Sequence, residues 1–313
     1  MVAMPLAHIS WAIADNADRK PCDRFFQEVF GAETVYEILI TPETANLGFD
    51  REESLMMIGD TMVIPIAPAG AGTQAGAPIG DMLRRSASAM RWIGVALRVA
   101  DLREADPWMR ARGFKPHYDP GMEESYFMIP RYQVMGLRIE VLGQDLPNDP
   151  RNDPAWSPAK WREDHPLGIE GLQSIGISAP SFDEAREVFA GLLEWPELGA
   201  RALPGDDAAC VAFDMGDTVI EAMVGNSDET AVARHAREVK GIYCLTFKVR
   251  DAEAAVTYLR SKGLTLIGDV ADRFAIAPEQ AHGRLIYFTG NSVAGYPDLG
   301  SRLNTPARFP TAI

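Results

Sequence analysis

One pattern, a strand that leads into a helix, occurs four times in this chain and constrains its fold more than any other feature. Each copy is a short apolar run followed by residues typical of a helix N-terminus. The four runs begin at His8, Gly94, Ser174 and Cys244. Repeats of this size are single supersecondary units that bury their apolar faces against one another, so they decide the fold before local signals do.

Helix signals follow the strands at regular positions. Gly113 and Gly263 stand equally far from the beginnings of the second and fourth runs, and glycine is favoured where a helix ends in left-handed backbone. After the third run, Ser181 and Glu184 have the spacing of a capping box. We therefore expect a helix after each of these strands.

Each helix is followed by short β-like runs that end in a more apolar closing strand. The closing strands are predicted in residues 55–66, 137–142, 217–224 and 284–288. The first and third copies also share the sequence Gly-Asp-Thr next to these strands, which suggests that a two-unit half was duplicated. The sequence therefore predicts an α+β fold of four βαβββ modules.

Two segments interrupt the repeats. Residues 67–89 are rich in Ala and Gly, which indicates a flexible connection or a mobile flap. Residues 143–168 contain five prolines and two tryptophans and are typical of a joint between halves, packed by Trp156 and Trp161. The predicted organisation is an N-terminal pair of modules (1–143), a Pro-rich linker (144–167) and a C-terminal pair (168–313).

Composition restricts the partners of this protein. Its formal net charge of −14 repels a nucleic-acid backbone, and no dense basic patch overcomes that field. The first ten residues lack the basic and apolar regions of a signal peptide, and no apolar run approaches the roughly 20 residues of a membrane span. We expect a cytoplasmic protein with no nucleic-acid or membrane partner. Its three separated cysteines predict neither a disulfide framework nor a structural zinc site.

Repeated βαβββ units with a ligand residue at the first strand and a glutamate in the last resemble the vicinal oxygen chelate superfamily. This group contains glyoxalase I, methylmalonyl-CoA epimerase, bleomycin-resistance proteins and extradiol ring-cleaving dioxygenases. Four units in one chain look most like the dioxygenase arrangement. The resemblance implies two open barrels, each made of two paired modules, and it leaves open which modules pair.

The same resemblance implies metal-ligand positions in the strands. On this sequence, His8, Glu140 and Glu221 match them and are the predicted metal ligands, while the first closing strand offers Ile64 or Pro65, depending on a one-residue choice of register. Neither of those two can bind a metal. Divalent ions need three or four converging donors. The sequence leaves two alternatives: a site with one divalent ion, which could be Fe, Mn, Zn, Ni or Mg, and a site without metal. No nucleotide cofactor is expected.

The second barrel would offer Ser174, Glu221, Cys244 and Tyr287. This set lacks the two histidines and one carboxylate that bind ferrous iron in the ring-cleaving enzymes. Iron-dependent ring cleavage is therefore not expected in the second barrel, and the first barrel is the predicted place for metal chemistry.

Three residues are predicted to be catalytic. Glu140 alternates with Ile139 and Val141, so it faces away from both, and burial on that face would raise its pKa as a proton-transfer group requires. The alternative is a solvent-facing strand glutamate. Tyr287 is predicted to donate a hydrogen bond to a bound oxyanion. His282 lies in the loop before the last strand, which the resemblance implies can close over substrate.

Two functions fit these features. The first is an enzyme, a lyase, isomerase or dioxygenase, acting on a small 2-oxo acid, enolisable thioester or phenolic molecule. Glu140 would move a proton while His8, with or without a divalent ion, stabilises the enolate or bound oxygens. The alternative is a metal-free protein that sequesters a small aromatic ligand, as bleomycin-resistance members do. Either function is compatible with a homodimer.

Overall fold

The computed structural model describes residues 5–13, 16–46, 51–68, 92–119, 122–143, 146 and 148–296. The first half contains β1 (Leu6–Ala12), α1 (Asn16–Phe30), β2 (Glu33–Ile38), α2 (Pro42–Asn46), β3 (Arg51–Ile58), β4 (Thr61–Pro68), β5 (Trp92–Arg98), α3 (Leu102–Ala111), β6 (Tyr126–Ile129) and β7 (Arg138–Leu142). Helix α4 (Ala159–Glu163) lies in the predicted linker. In the Ala- and Gly-rich segment, residues 69–89 lie outside the described residues.

In the described residues, the second half follows a similar order, with an additional helix before β12, one more strand and no counterpart of α2. It contains β8 (Ile169–Ser178), α5 (Phe182–Ala185) continued by a π-helix (Arg186–Leu192), β9 (Glu197–Leu203), β10 (Ala208–Asp214), β11 (Val219–Gly225), α6 (Ala231–Glu238), β12 (Gly241–Val249), α7 (Ala252–Ser261), β13 (Leu266–Asp269), β14 (Arg273–Ile276) and β15 (Ile286–Thr289). Single 3₁₀ turns occur at Arg131–Gln133, Pro150–Asn152, Pro204–Asp206 and Pro278–Gln280. In the described part of the chain, no helix is both long and apolar enough to span a membrane.

The strands form two curled sheets with the same internal order. The first runs β2-β3-β4-β1-β5-β7-β6, and the second runs β9-β10-β11-β8-β12-β15-β14-β13. In both, the first strand of the half pairs parallel to its closing strand and antiparallel to the first strand of the next module. Modules one and two therefore share one sheet, and modules three and four share the other, which confirms the predicted α+β architecture of paired modules.

The predicted helix signals are confirmed at the residues that carry them. Asp101 and Asp251 each accept a backbone hydrogen bond at the start of α3 and α7, and Gly113 and Gly263 follow these helices with positive φ. Ser181 Oγ accepts from Glu184 N at 3.2 Å. The helix after Ser181 departs from a regular α-helix, because most of it is π-helical.

A common core joins the two halves. One buried apolar cluster contains side chains of both sheets, and the rings of Phe30 and Phe247 are 5.8 Å apart. In the linker, buried Trp161 donates from Nε1 to Gly31 O at 3.1 Å, and Trp156 packs partly buried against the same cluster. Each sheet lies within one predicted pair of modules, yet the shared core leaves the domain boundaries a prediction.

The duplicated Gly-Asp-Thr sequences bind each half to the other. Asp217 Oδ2 accepts from Leu6 N at 2.9 Å, and Asp60 Oδ1 accepts from Leu172 N at 3.4 Å. Leu6 begins β1 and Leu172 lies in β8, so each aspartate contacts the first strand of the opposite half. This reciprocal contact gives the shared motif a structural role.

Replacing Asp217 with asparagine is expected to stabilise the protein above pH 6. Burial, together with the nearby charge of Asp60, raises the pKa of Asp217 from 3.8 to about 6. The hydrogen bond from Leu6 N acts in the opposite direction and lowers this pKa. A raised folded-state pKa means that stability present below pH 4 is lost as pH rises to 6. The neutral amide keeps an acceptor for Leu6 N, so we expect a gain of at most about 3 kcal/mol at pH 7.5.

Urea unfolding at pH 4 and pH 7.5 measures this effect. The gain of Asp217→Asn should shrink toward pH 4, where the wild-type carboxyl is protonated in the folded state. Asp183→Asn, which changes a 99% exposed side chain, is the matched control and should shift stability little at either pH. A variant no more stable than wild type at pH 7.5 would contradict the assignment.

Candidate functional site

One face of the first sheet packs against α1, and one face of the second sheet packs against the π-helix and α7. The opposite face of each sheet, here called the inner face, carries the candidate residues; in the second sheet, Val232 of α6 also packs on this inner face. In the first sheet, Ile139 and Val141 belong to the apolar cluster that includes α1. Glu140 stands between them in β7 and therefore faces inward. The alternation predicted from the sequence is thus present in the structure.

The Glu140 carboxyl group is half-buried and unpaired. Within the described residues, no hydrogen bond or ion pair engages it. Burial raises the pKa of Glu140 from 4.5 to about 7, despite the nearby Arg138 guanidinium, and Glu53 adds to the rise. Such a carboxyl group exchanges protons near neutral pH.

The charges around Glu140 come from three different strands and a loop. Arg51 forms an ion pair with Glu53 on β3, and Tyr126 OH donates to Asp119 Oδ2 at 2.7 Å. These groups already have partners of their own. Arg138, two residues before Glu140 in β7, faces the same side of the sheet.

His8 lies in the same row of the sheet as Glu140. It is opposite Ala96 of β5, and Ala96 is opposite Glu140. With one strand between them, the two Cα atoms are about 10 Å apart, which is close enough for one ligand to contact both side chains.

Burial makes His8 a neutral imidazole. The side chain is 6% exposed, and its Nδ1 atom has no hydrogen-bond partner in the described part of the chain. Burial, then Arg151 and Arg98, lower the pKa of His8 to about 3, against the opposing charge of Asp149. His8 can therefore donate or accept a hydrogen bond at neutral pH, but it does not carry a charge.

In the second sheet, Glu221 is fully buried and fully engaged. Its Oε1 accepts from Arg201 Nη2 at 2.7 Å and Nε at 3.1 Å, while Oε2 accepts from Ser174 Oγ at 2.9 Å. Burial acts to raise the pKa of Glu221, but Arg201 and Arg273, with these hydrogen bonds, hold it below its usual value. Glu221 is an ionised carboxylate with its cation already in place.

A second ion pair adjoins the first. Arg273 pairs with Asp206, and its guanidinium lies 4.3 Å from the ring centroid of Tyr287. Tyr287 OH donates to Asp206 Oδ1 at 2.7 Å. Arg273 Nη1 is 3.9 Å from Glu221 Oε2, so the two pairs form one network. Tyr287 thus has its hydroxyl committed to Asp206 rather than to an open position.

The register identifies equivalent positions in the two sheets. Ser10 is opposite Ile64 as Gly176 is opposite Glu221, so Ile64, not Pro65, occupies the place of the glutamate. By the same register, Glu140 corresponds to Tyr287. Each inner face therefore has a carboxylate at one of its two equivalent closing-strand positions.

The remaining candidates lie elsewhere. His282, with φ +52°, packs its ring 5.4 Å from Phe25 and 6.2 Å from Trp11, on the helix-packed side. It is not brought together with Glu140 or Tyr287. Cys244 is buried in the second sheet, and burial raises the pKa of its thiol, which suits an inert core residue.

The donor set does not fit a divalent ion. The three predicted ligands lie on two sheets, and among the described residues no group of three or more His, Cys, Asp or Glu could hold a metal. His8 faces Arg98 and Arg151, whose positive charges oppose a cation there. Glu221 has two guanidiniums where a metal would have to bind.

Sequence reasoning missed the arginines. Arg201 and Arg273 stand in β9 and β14, which are not the strands that the repeats single out. The sequence does contain a signal for Arg273. This residue begins a short strand whose other residues are apolar, and a charge in such a run needs a buried partner.

A groove of about 720 Å³ lies apart from both inner faces. It runs beside α6 and is lined in part by Arg131, Arg237 and Lys240, with Glu184 and Asp228. Neither Glu140 nor Glu221 lines it. We therefore place the candidate chemistry on the inner faces and not in this groove.

Comparison with solved structures finds one full-length likeness and several partial ones. A triple mutant of 4-hydroxymandelate synthase from Streptomyces coelicolor is 13% identical, with 98% of each chain covered and a TM-score of 0.67. A methylmalonyl-CoA epimerase variant from the same organism is 17% identical and covers 41% of this chain and 99% of its own, with a TM-score of 0.36.

A hypothetical protein from Bacillus halodurans is 23% identical and covers 37% of this chain and 91% of its own, with a TM-score of 0.34. No protein-family model matches the sequence, and no curated protein sequence matches it either. The full-length likeness is at low identity and shows a shared fold; the two partial ones carry no argument.

Proposed function

We propose that this chain, which has the vicinal oxygen chelate fold in its four-module form, is an enzyme that moves a proton on a small oxygenated substrate. Glu140 is the observation that carries this proposal. It is a half-buried carboxyl group with no partner among the described residues, and its pKa is raised to about 7. A group with that pKa is present as both acid and base at neutral pH.

The proposed reaction begins at a carbon next to a carbonyl group. Glu140 takes the proton from that carbon, and the electron pair of the broken C–H bond moves into the enolate. Return of the proton from Glu140, to the same carbon or a neighbouring one, gives an epimerised or isomerised product. These two proton transfers need no oxidant, because no electrons leave the substrate.

Two neighbours support this proton transfer. Arg138, which lies on the same face, provides positive charge beside the developing oxyanion. His8 is a neutral imidazole on β1, with β5 between it and Glu140, and can hold a second substrate oxygen by a hydrogen bond. No step is assigned to a divalent ion, because the donors on this face do not fit one.

The substrate classes are 2-oxo acids, enolisable thioesters and phenolic compounds. The first two carry an acidic C–H bond next to a carbonyl group, which is what a carboxylate base near pH 7 can ionise when the enolate is stabilised. A metal-free protein that only sequesters its ligand is the alternative. The unpaired Glu140 favours the enzyme, since a pure binding site gains nothing from an uncompensated carboxylate.

Hydrogen exchange into substrate tests the proposal. We expect 2-oxobutyrate or a propionyl thioester, incubated with the protein in D₂O, to lose the NMR signal of the hydrogens next to the carbonyl. The rate should rise with pH through about 7, because the base form of Glu140 is required. It should be unchanged by EDTA.

Two results would count against this function. Exchange no faster than in buffer, for every substrate of these classes, would leave sequestration as the better description. Exchange that is abolished by EDTA and restored by a divalent ion would show that the reaction depends on a metal, contrary to the donor set described above.

A further inference from the structure

We propose that the groove beside α6 binds a small organic monoanion, a carboxylate on an apolar body, between Arg131 of the first half of the chain and Lys240 of the second. This site lies outside both inner faces, and it does not depend on the proton-transfer function. Its evidence is a cavity at the contact between the halves, two lining cations without counter-ions, and an apolar lining with an exposed tyrosine.

The groove lies where the two halves of the chain meet. Its volume of about 720 Å³ is within the range of roughly 300 to 1,000 Å³ that is typical of small-molecule sites. Arg131 and Met135 line it from the segment between β6 and β7, and Ala236 and Lys240 line it from α6 and the residues after that helix. A ligand in the groove would therefore contact both halves.

The position of Lys240 beside the groove is set by its backbone. Gly241 N donates to Met135 O at 3.2 Å, and a Cβ atom on Gly241 would lie 2.8 Å from Gly136 O, so the backbones of the two halves touch here. Lys240 itself has φ +66°, and its N–H donates to His235 O at 2.7 Å. Glycine is the usual residue with this backbone after a helix, so a lysine here indicates a use for its side chain.

Two of the cations that line the groove lack a counter-ion. Within the described residues, neither Arg131 nor Lys240 forms an ion pair. Arg131 is half-buried and donates from Nε to Gly136 O at 2.9 Å, which leaves its two Nη atoms available. Burial, and then the charge of Arg138, lower the pKa of Arg131, as expected for a guanidinium with no carboxylate beside it.

The other charges of the groove leave an excess of one positive charge. Arg237 is already paired with Asp228, whose Oδ1 atom is 3.6 Å from Arg237 Nη1. Among the described lining residues, Glu184 is then the one carboxylate set against Arg131 and Lys240. A monoanion neutralises this excess. Because charges more than about 10 Å away are largely screened by salt, the local excess outweighs the net charge of −14 for an anion in the groove.

The rest of the lining suits an apolar body. Val224 and Ala233 are half-buried in the groove, and Pro180 is exposed beside them. Tyr132, which also lines the groove, is 72% exposed, more than any other large apolar side chain among the described residues. An exposed aromatic ring next to a concave apolar surface is typical of a binding site.

Titration calorimetry with indole-3-acetate and indole-3-acetamide at pH 7.5 tests the proposal. These two probes share one ring system, and only indole-3-acetate carries a negative charge. We expect indole-3-acetate to bind at least about fivefold more tightly than the amide, and acetate, which lacks the ring, to show no measurable binding. Lys240→Met should weaken the binding of indole-3-acetate about two- to fivefold, because it removes one cation and keeps the length of the side chain.

Further variants separate the charge effect from folding. Lys240→Arg keeps the cation and should bind indole-3-acetate like wild type. Glu184→Gln removes the opposing carboxylate and should tighten binding about two- to fivefold, while the backbone hydrogen bond from residue 184 to Ser181 Oγ is kept. Lys262→Met, at an exposed position just after α7, is the matched control and should bind like wild type. Glu140→Gln should also bind the probe normally, since Glu140 does not line the groove.

Several results would overturn the proposal. They are the absence of indole-3-acetate binding to the folded protein at millimolar concentrations, equal affinities for the acid and the amide, and a Lys240→Met protein that binds like wild type. Unchanged or weaker binding in Glu184→Gln would contradict the charge balance. A changed affinity in Glu140→Gln would place the probe on the inner face of the first sheet and would equally exclude the groove.

Discussion

Glu140→Gln is expected to lower the rate of substrate hydrogen exchange by about two to four orders of magnitude. Glutamine has nearly the same shape, but its amide cannot accept the proton. Burial raises the pKa of Glu140 to about 7, so ionisation of this group costs stability. Stability present below pH 4.5 is lost as pH rises through 7, and the variant should therefore be at least as stable as wild type at pH 8.

Exchange kinetics and urea unfolding at pH 8 together measure this prediction. Loss of exchange with preserved stability assigns Glu140 to the chemistry, whereas loss of both assigns it to the fold. Glu187→Gln, on the exposed surface of the π-helix, is the matched control and should change neither quantity. Full activity of Glu140→Gln would contradict the role of Glu140 as the base of the proposed reaction.

The fold was predictable because its signals are local and repeated. Asp101, Ser181 and Asp251 mark helix starts through hydrogen bonds made within three residues, and such contacts are encoded in short sequence windows. The register between strands was harder to predict from the sequence. Ile64 and Pro65 are adjacent, and only the pairing of β1 with β4 shows which of them replaces a glutamate.

The candidate site was predictable only in part. Glu140 could be placed because strand alternation assigns its face from the two residues beside it. The partners of Glu221 could not be predicted. Arg201 lies 20 residues before Glu221 and Arg273 lies 52 residues after it, and their approach depends on how the sheet curls. A carboxylate that resembles a metal ligand in sequence is thus an ion-pair partner in the structure.

Arg151→Met is expected to lower the free energy of unfolding by about 3 to 5 kcal/mol. Arg151 lies in the predicted linker, yet its side chain is 6% exposed and contacts both β1 and the turn between β3 and β4. Nη2 donates to Ala7 O at 2.6 Å and to Asp149 Oδ2 at 2.7 Å, and Nη1 donates to Leu6 O at 3.2 Å and Asp60 O at 3.3 Å. Methionine fills similar space but leaves these acceptors without their donor.

Urea unfolding measures the loss, and the titration of His8 shows whether charge is its cause. After burial, Arg151 is the strongest influence that lowers the pKa of His8, so Arg151→Met should raise that pKa from about 3 in an NMR titration. A packing defect that admits water would also raise this pKa, so the absence of a shift is the decisive outcome. Arg103→Met, at a 92% exposed side chain, is the control and should affect neither measurement. An unshifted His8 pKa in a folded Arg151→Met protein would contradict the charge contact, because removal of a nearby cation must favour the imidazolium form.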